Sequence, residues 1–181
     1  MTNRQALFLV VAVNLLKGQQ SETAKPIEPD LLGVVFYLSS SDHIIRALPK
    51  EQWKAVGKAK AGWSSVNSVG SLQLSGAASS FRVPVSDTSE FVFKVSKDPE
   101  SVKLFMCSQN AKKGFRQVDI VEEKRSAHPF GRATVTKEHL SGVPVEVLKY
   151  GESSYKLAAR GLAPGEYAIL SGGAVFSFGI Q

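Results

Sequence analysis

The sequence predicts an all-β protein, mainly antiparallel, whose larger part is an immunoglobulin-like β-sandwich. Short apolar or alternating segments recur at intervals of roughly 8 to 12 residues, which is the spacing of strands in sandwiches and barrels. Gly, Pro, Ser or Asp separates these segments, and such residues favour turns. In addition, the segment LAPGEYAIL at residues 162–170 has the pattern of a corner between two sheets.

The first strands are predicted in residues 31–48, where LLGVVFYL and HIIRAL flank the polar segment SSSD. A short continuous apolar run is consistent with a buried strand, so we interpret the pair as a hairpin. The alternating segment VGSLQLSG predicts another strand. We expect these strands to form a smaller N-terminal β unit over residues 25–78, which packs on the main sandwich at residues 79–181.

The predicted sandwich starts with FRVPV and with EFVFKVS, in which Phe91, Phe93 and Val95 alternate with Val92 and Lys94. This alternation is typical of a half-buried strand. The polar loop QNAKKG lies between SVKLFMCS and FRQVDIVE, and this arrangement predicts a second hairpin. The remaining predicted strands are GRATVTKE, VPVEVLKY, SYKLAAR, EYAIL and AVFSFGI.

The C-terminal corner depends on Leu162, Pro164, Gly165 and Tyr167. In immunoglobulin-like sandwiches, a tyrosine near the start of the penultimate strand hydrogen-bonds to the backbone a few residues upstream. Pro164 fixes one backbone angle, Gly165 permits the bend, and Leu162 would fill the core below. The alternative is an ordinary Pro-Gly turn before a strand. We expect a structural tyrosine corner at Tyr167.

Residues 1–24 have the composition of a signal peptide followed by a linker. Arg4 precedes an apolar stretch from Ala6 to Leu16, which has the length of a signal-peptide core and is too short to span a bilayer. We therefore expect export to the periplasm or the cell exterior, with no transmembrane span. If the segment is instead a first strand or helix that packs on the domain, the protein is cytoplasmic.

Segments spread over most of the chain after residue 31 resemble those of one group of proteins. The segments are GVVFYL, FRV, EFVFKV, DPESVKLF, KKGFRQVDI, KYGESSYKLAARGLAPGEYAIL and FSFGI. They are similar to segments of uncharacterised bacterial exported β-sandwich proteins. The resemblance implies the sandwich fold and export, and it implies no catalytic, cofactor or ligand residues.

The net charge and the cysteine content exclude some classes of function for this protein. The 181 residues carry a formal net charge of +6. Acidic residues are mixed among the basic ones, whereas nucleic-acid-binding domains concentrate their basic residues in a patch or stripe, so we expect no nucleic-acid partner. Cys107 is the single cysteine of the sequence, which leaves no internal disulfide and no CxxC metal site. Its apolar surroundings predict a buried, unreactive thiol.

The segment PKEQWKAVGKAKAGW differs from the other strand-like segments. If it is a strand, Trp53 and the small residues that alternate after it share one face, while Lys54, Lys58 and Lys60 share the other. A lysine face between Trp53 and Trp63 could bind an anionic glycan or another small ligand. The alternative is a charged edge strand that resists aggregation.

The sequence contains no recognisable catalytic set. It has no GxSxG, Walker A or GxGxxG motif, so neither an esterase-type nucleophile nor a nucleotide-binding loop is indicated. His43, His128 and His139 stand far apart near predicted turns, which favours surface histidines over a zinc site. We expect no metal and no cofactor.

The patterns described above therefore indicate a fold, and the sequence contains no group of residues that indicates catalysis. We expect a non-enzymatic interaction or structural module of the bacterial cell envelope, with a protein or another envelope component as partner. The alternative is a binding module for an anionic glycan or small ligand, and an enzyme is the third hypothesis.

Overall fold

The computed structural model describes residues 26–41, 43–61, 65–96, 98–126, 134–140 and 142–181. In these ranges the chain forms fifteen strands and two short 3₁₀ helices, Pro99–Ser101 and Ala111–Lys113. The strands, in chain order, are β1 (Val35–Leu38), β2 (Ile45–Ala47), β3 (Lys50–Glu51), β4 (Trp53–Ala61), β5 (Ser65–Ser75), β6 (Arg82–Val83), β7 (Thr88–Phe93), β8 (Lys103–Met106), β9 (Ser108–Asn110), β10 (Phe115–Ser126), β11 (Thr134–His139), β12 (Glu146–Lys149), β13 (Tyr155–Arg160), β14 (Gly165–Ser171) and β15 (Ala174–Ile180). The all-β prediction is confirmed.

The strands form three sheets of five strands each. The first sheet has the order β12-β13-β7-β1-β2, and each neighbouring pair is antiparallel. Phe91 and Phe93 of β7 are fully buried, as the alternating pattern predicts. Val92, on the opposite face, is fully buried as well, so β7 is covered on both faces rather than on one.

The second sheet has the order β3-β15-β14-β8, and β6 pairs in parallel with the end of β15. A turn of two residues joins β14 to β15, and turns of this length are common in antiparallel hairpins. Gly172 and Gly173 occupy this turn with φ angles of 57° and 83°, a region that glycine adopts without steric cost. The predicted strands EYAIL and AVFSFGI form this antiparallel hairpin.

The first and second sheets enclose the main core. Leu157 from the first sheet and Leu104 and Ile169 from the second belong to one buried cluster. The rings of Phe91 and Phe178 connect the two layers, with their centroids 4.6 Å apart. The strand orders β12-β13-β7-β1 and β15-β14-β8 correspond to the D-E-B-A and G-F-C orders of an immunoglobulin-like sandwich.

The third sheet has the order β11-β10-β5-β4, and β9 pairs with the start of β10. One half of this sheet packs on the outside of the second sheet through a separate buried cluster. The cluster contains Leu72, Leu74, Phe105, Cys107, Val118, Ala168 and Val175. A break in register between Asp119 and Val121 follows this packed half, and such irregularities bend a strand.

The other half of the third sheet extends beyond this packed region, and we call it the arm. It consists of residues 58–61, 65–69, 122–126 and 134–139, none of which is buried. The arm therefore adds little to the hydrophobic core.

The segment 25–78 shares its sheets with the segment 79–181. The predicted hairpin within residues 31–48 is confirmed, because β1 and β2 are antiparallel neighbours. However, β1 also pairs with β7, β3 with β15 and β5 with β10. The sequence boundary near residue 78 therefore does not coincide with a boundary between sheets.

The second predicted hairpin has a different partner strand from the one expected. The loop around Ala111–Lys113 does reverse the chain, but β10 pairs there with the short β9. Half of the segment SVKLFMCS forms β8, which instead pairs with β14. The chain changes sheets at Cys107, whose backbone N–H still bonds to the Glu166 carbonyl at 2.8 Å.

Among the described residues, no helix is long and apolar enough to cross a membrane. The predicted signal peptide at residues 1–24 lies outside these residues.

Candidate functional site

The corner before β14 has the contacts expected of a structural tyrosine corner. The Tyr167 hydroxyl donates a hydrogen bond to the Ala163 carbonyl oxygen at 2.8 Å. The Tyr167 ring is buried and stacks on Phe178, with 5.4 Å between centroids. Burial raises the pKa of the Tyr167 hydroxyl. The hydroxyl therefore remains a neutral donor at physiological pH.

The other corner residues take the expected places. Leu162 is buried in the main core, Pro164 is exposed in the turn, and Gly165 is the first residue of β14. The corner joins the two sheets of the sandwich and serves the fold.

The predicted lysine segment forms a strand at the edge of the third sheet. β4 pairs only with β5 among the described strands, and Lys54, Lys58 and Lys60 are exposed along it. Because side chains alternate along a strand, these lysines occupy the face opposite Trp53. Trp53 is 44% exposed, whereas Trp63 lies outside the described residues.

A polar groove of about 360 Å³ lies beside the start of β4. Three chain segments line it, namely residues 52–54, 73–76 and 113–115. We call it the Lys54 groove. Its size is within the range of small-ligand sites, which is roughly 300–1,000 Å³.

The side chains of the Lys54 groove have unused binding capacity. Lys54 and Lys113 form no ion pair with another described residue, and neither the Gln52 nor the Gln73 amide forms a side-chain hydrogen bond within that part of the chain. Lysine offers three donors, and an amide offers both donors and an acceptor. The groove can therefore bind a ligand that combines negative charge with hydroxyl groups.

Beneath the groove, Arg116 is buried with only 1% of its surface exposed. Its guanidinium Nη1 bonds to Ser177 Oγ at 2.9 Å and approaches Glu166 Oε2 at 3.5 Å. Its Nη2 bonds to Glu51 Oε1 at 3.1 Å and to the Ser75 carbonyl at 3.1 Å, and Nε bonds to the Gly76 carbonyl at 3.2 Å. The guanidinium is thus fully engaged, as a buried charge requires.

Glu166 is the second buried charge of this network. Its carboxylate accepts hydrogen bonds from Arg82 and from the backbone N–H of Ser79, the latter at 2.6 Å. Gly179 lies directly beneath the Arg82–Glu166 pair, where a Cβ atom would collide with the Arg82 guanidinium. Two arginines therefore balance the two carboxylates of Glu51 and Glu166.

The buried network supports the walls of the Lys54 groove. Glu51, which Arg116 binds, immediately precedes the wall formed by residues 52–54. The Ser75 and Gly76 carbonyls bound by Arg116 belong to the second wall, and Arg116 itself follows the third, residues 113–115. Arg116 therefore fixes all three walls relative to one another, although it does not line the groove.

Trp53 also borders a second, mainly apolar groove of about 240 Å³. Leu72, Ile120 and Leu170 line this groove, together with the Gly172–Gly173 turn. Trp53 is therefore positioned between a polar groove and an apolar one.

A separate polar contact holds the start of the described chain to the first sheet. The Glu28 carboxylate accepts bonds from the Glu152 and Ser153 backbone N–H groups at 2.7 and 3.1 Å, and from the Ser154 hydroxyl at 2.9 Å. These bonds lower the pKa of Glu28 to about 2. Gly151 has no Cβ, which would otherwise collide with the Glu28 carboxyl.

Among the described residues, the remaining reactive groups do not converge on a common site. Cys107 is buried, as predicted, and burial raises the pKa of its thiol to about 12. Within the described ranges, no three His, Cys, Asp or Glu side chains come together to hold a metal ion. His128 lies outside those ranges.

Sequence reasoning did not identify Arg116, Glu166 or Lys113. A signal for Arg116 was present, because it alternates with Val118 in FRQVDIV and so shares the face of a residue that is buried. Glu166 similarly lies within the apolar segment EYAIL. Lys113 belongs to a loop, and the residues that lie beside this loop depend on which strands pair. No local sequence pattern therefore indicates that Lys113 lines the groove.

Comparisons of the chain with protein-family models, with curated proteins and with solved structures give no match.

Proposed function

We propose that the protein is a non-enzymatic interaction module of the bacterial cell envelope. The observation that carries this proposal is the arm, whose residues are all outside the core. A sheet is normally stabilised by burying at least one face against another layer. A half-sheet without this cover is better explained by contact with a partner than by the folding of this chain alone.

The end of the arm offers a suitable contact surface. The register places Ala61 opposite Val66, Val66 opposite Arg125 and Arg125 opposite Val135, so these four side chains form a row on one face. Val66 is 38% exposed and Val135 is 57% exposed. An arginine among exposed apolar residues is typical of protein interfaces, where arginine is enriched.

The cell-envelope location is supported by the sequence of residues 1–24 and by the resemblance to exported proteins. Fractionation of the native host, followed by N-terminal sequencing, tests it. We expect a trimmed chain in the envelope fraction, and recovery of intact Met1 in the cytosol would contradict the location.

Site-specific photo-crosslinking in the native host tests the interaction. A photoreactive phenylalanine analogue at Val135 should give a discrete crosslinked product. The matched control is the same analogue at Leu148, which is 42% exposed but belongs to the first sheet. Equal products from both positions, or none from Val135, would argue against a contact through the arm.

A second candidate function is binding of an anionic glycan or another small ligand. It is favoured by the exposed Trp53 at the border of a groove that contains Lys54 and Lys113. A glycan array probed with wild type, Trp53→Ala and Trp63→Ala screens for such ligands. Signals that both variants retain in full would argue against a role for the tryptophans.

A further inference from the structure

Lysines without acidic partners lie on β4, the edge strand of the third sheet, and on a turn at the end of the Lys54 groove. Lys54, Lys58 and Lys60 lie on β4, whereas Lys112 and Lys113 lie on the turn between β9 and β10, on the other side of β5. All five are exposed, and none pairs with a carboxylate of the described chain. Lys58 donates only to the neutral Gln117 side chain, at 3.1 Å. We call these five residues the basic edge.

We propose that the basic edge and the Lys54 groove together bind an acidic oligosaccharide. This inference rests on the second candidate function and specifies its ligand class. The groove binds one sugar unit, and the lysines of β4 bind acidic groups on the units that follow.

The ligand is expected to be acidic because the lysines of the basic edge have no acidic neighbours among the described residues. Several cationic side chains elsewhere have acidic partners, as in the Lys156–Glu90 pair at 2.7 Å and the Lys124–Glu122 pair at 3.4 Å. Single exposed lysines such as Lys103 also lack an acidic partner within the described chain, so it is the grouping of five lysines that distinguishes the basic edge. The basic edge has no such compensation. A ligand with several negative charges would relieve the repulsion among its lysines, and its affinity would fall as salt increases.

The sugar requirement follows from the polar and aromatic groups at the groove. The free amides of Gln52 and Gln73 can exchange hydrogen bonds with hydroxyl groups in both directions. Trp53 also borders the groove, at the start of β4 and with 44% of its surface exposed, so it can contact a sugar at this end of the groove although the lysines of β4 lie on the opposite face. A simple polyanion without donor groups cannot use these amides in both directions, and the comparison with an acidic peptide is part of the test.

The three walls of the Lys54 groove are held in position before a ligand binds, because the buried Arg116 bonds to residues of the walls or next to them. Rigid support lowers the entropic cost of binding. Arg116 is therefore a positioning residue, and its contacts are all internal to the protein.

Isothermal titration calorimetry with defined probes tests the proposal. Tetragalacturonate and a heparin-derived tetrasaccharide are the acidic sugars, the methyl ester of tetragalacturonate is the neutral match, and hexaglutamate is the acidic peptide. We expect at least one acidic sugar to bind, the methyl ester to bind at least tenfold more weakly, and hexaglutamate to bind more weakly than the acidic sugar.

Variants locate the site. Lys54→Gln and Lys113→Gln should each weaken binding by up to about fivefold, as expected for exposed ion pairs, and Trp53→Ala by about two- to tenfold. Lys103→Gln removes an exposed lysine of β8 that does not line the Lys54 groove, and should leave the affinity unchanged. Circular dichroism of each variant confirms that it remains folded.

Each contrary result has a distinct meaning. If neither acidic sugar binds, or if the methyl ester binds equally well, the proposal is overturned. If hexaglutamate binds as tightly as the sugars, the edge recognises acidic peptides and the sugar assignment is wrong. Equal losses in Lys103→Gln and Lys54→Gln would also overturn the site. None of these results affects the Val135 crosslink, which tests the interaction through the arm independently.

Discussion

The Tyr167 hydroxyl donates a hydrogen bond to the Ala163 carbonyl oxygen, four residues upstream, at 2.8 Å. Tyr167 lies at the start of β14 in the second sheet, and Ala163 belongs to the connection that arrives from β13 in the first sheet. The bond therefore fixes the corner at which the chain passes between the two layers of the core.

Replacing Tyr167 with Phe keeps the stacked ring and removes this bond. The Ala163 carbonyl then loses its partner at the corner. Because Ala163 is exposed and water can reach its carbonyl, we expect a loss of about 0.5–1.5 kcal/mol, the net contribution of a typical hydrogen bond. Domains of this kind have total stabilities of about 5–15 kcal/mol, so equilibrium urea unfolding should resolve the difference.

Tyr155→Phe is the matched control. Tyr155 also begins a strand and stacks on a phenylalanine, Phe93. Its hydroxyl has no hydrogen bond to another described residue, so this variant should unfold at nearly the wild-type urea concentration. Equal stability of Tyr167→Phe and wild type would mean that LAPGEY is only a turn.

This corner could be predicted from sequence because its determinants are local. Leu162, Pro164, Gly165 and Tyr167 lie within six residues, and each acts through a short-range property such as a fixed φ angle or a nearby carbonyl. Strand alternation is also local, which is why β7 and β15 were predicted. Burial of both faces of β7 could not be predicted, since it depends on neighbours from distant parts of the chain.

The candidate site was predicted only in part for the same reason. Trp53 and the lysines of β4 form a visible sequence pattern. Lys113 joins them only because β10 pairs with β5, and Arg116 meets Glu166 across 50 residues of sequence. Strand pairing within the third sheet determines the first contact, and packing of the third sheet on the second determines the other. No short segment contains that information.

Arg116→Leu should destabilise the protein strongly. The substitution leaves the Glu51 carboxylate and the Ser75 and Gly76 carbonyls without their guanidinium partner. Removing one member of a buried ion pair typically costs about 3–5 kcal/mol. Chemical denaturation should show the loss, and Lys103→Gln, which removes an exposed positive charge, should remain within about 0.5 kcal/mol of wild type.

The variant Arg116→Lys tests whether the positive charge of Arg116 or the shape of its guanidinium stabilises the buried network. Lysine retains the positive charge but lacks the planar set of five donors that reaches two carbonyls and two carboxylates at once. We expect this variant to be intermediate in stability. If Arg116→Lys equals wild type, charge alone accounts for the network, and the proposed fixing of the groove walls by Arg116 is wrong.

The Glu28 contact should make stability depend on pH in the acid range. Folding lowers the pKa of Glu28 from 4.5 to about 2 because backbone N–H groups bond to the carboxylate. A lowered pKa stabilises the folded state above pH 4.5, and this contribution is lost as pH falls toward 2. The difference in stability between wild type and Glu28→Gln should therefore be largest near neutral pH and shrink as pH falls from 4.5 through 2.

Glu100→Gln is the control for the acid titration. Glu100 is exposed, and no hydrogen bond to its carboxylate is found within the described residues. Its stability difference from wild type should be nearly constant between pH 7 and pH 2. A Glu28→Gln difference that is equally flat would show that the carboxylate does not gain stability from the turn at residues 152–154.

Cys107 should react slowly with thiol reagents in the native protein. The thiolate is the reactive form, and burial raises the pKa of this thiol to about 12, so little thiolate is present at pH 8. The neighbouring Met106 is 56% exposed, which makes Met106→Cys in a Cys107→Ser background a matched control at nearly the same place in the sequence. A disulfide reagent should label that control within minutes and native Cys107 only after unfolding. Rapid stoichiometric labelling of native Cys107 would mean that the cluster between the second and third sheets opens readily, and that the packing which holds the arm to the sandwich is weaker than the buried contacts imply.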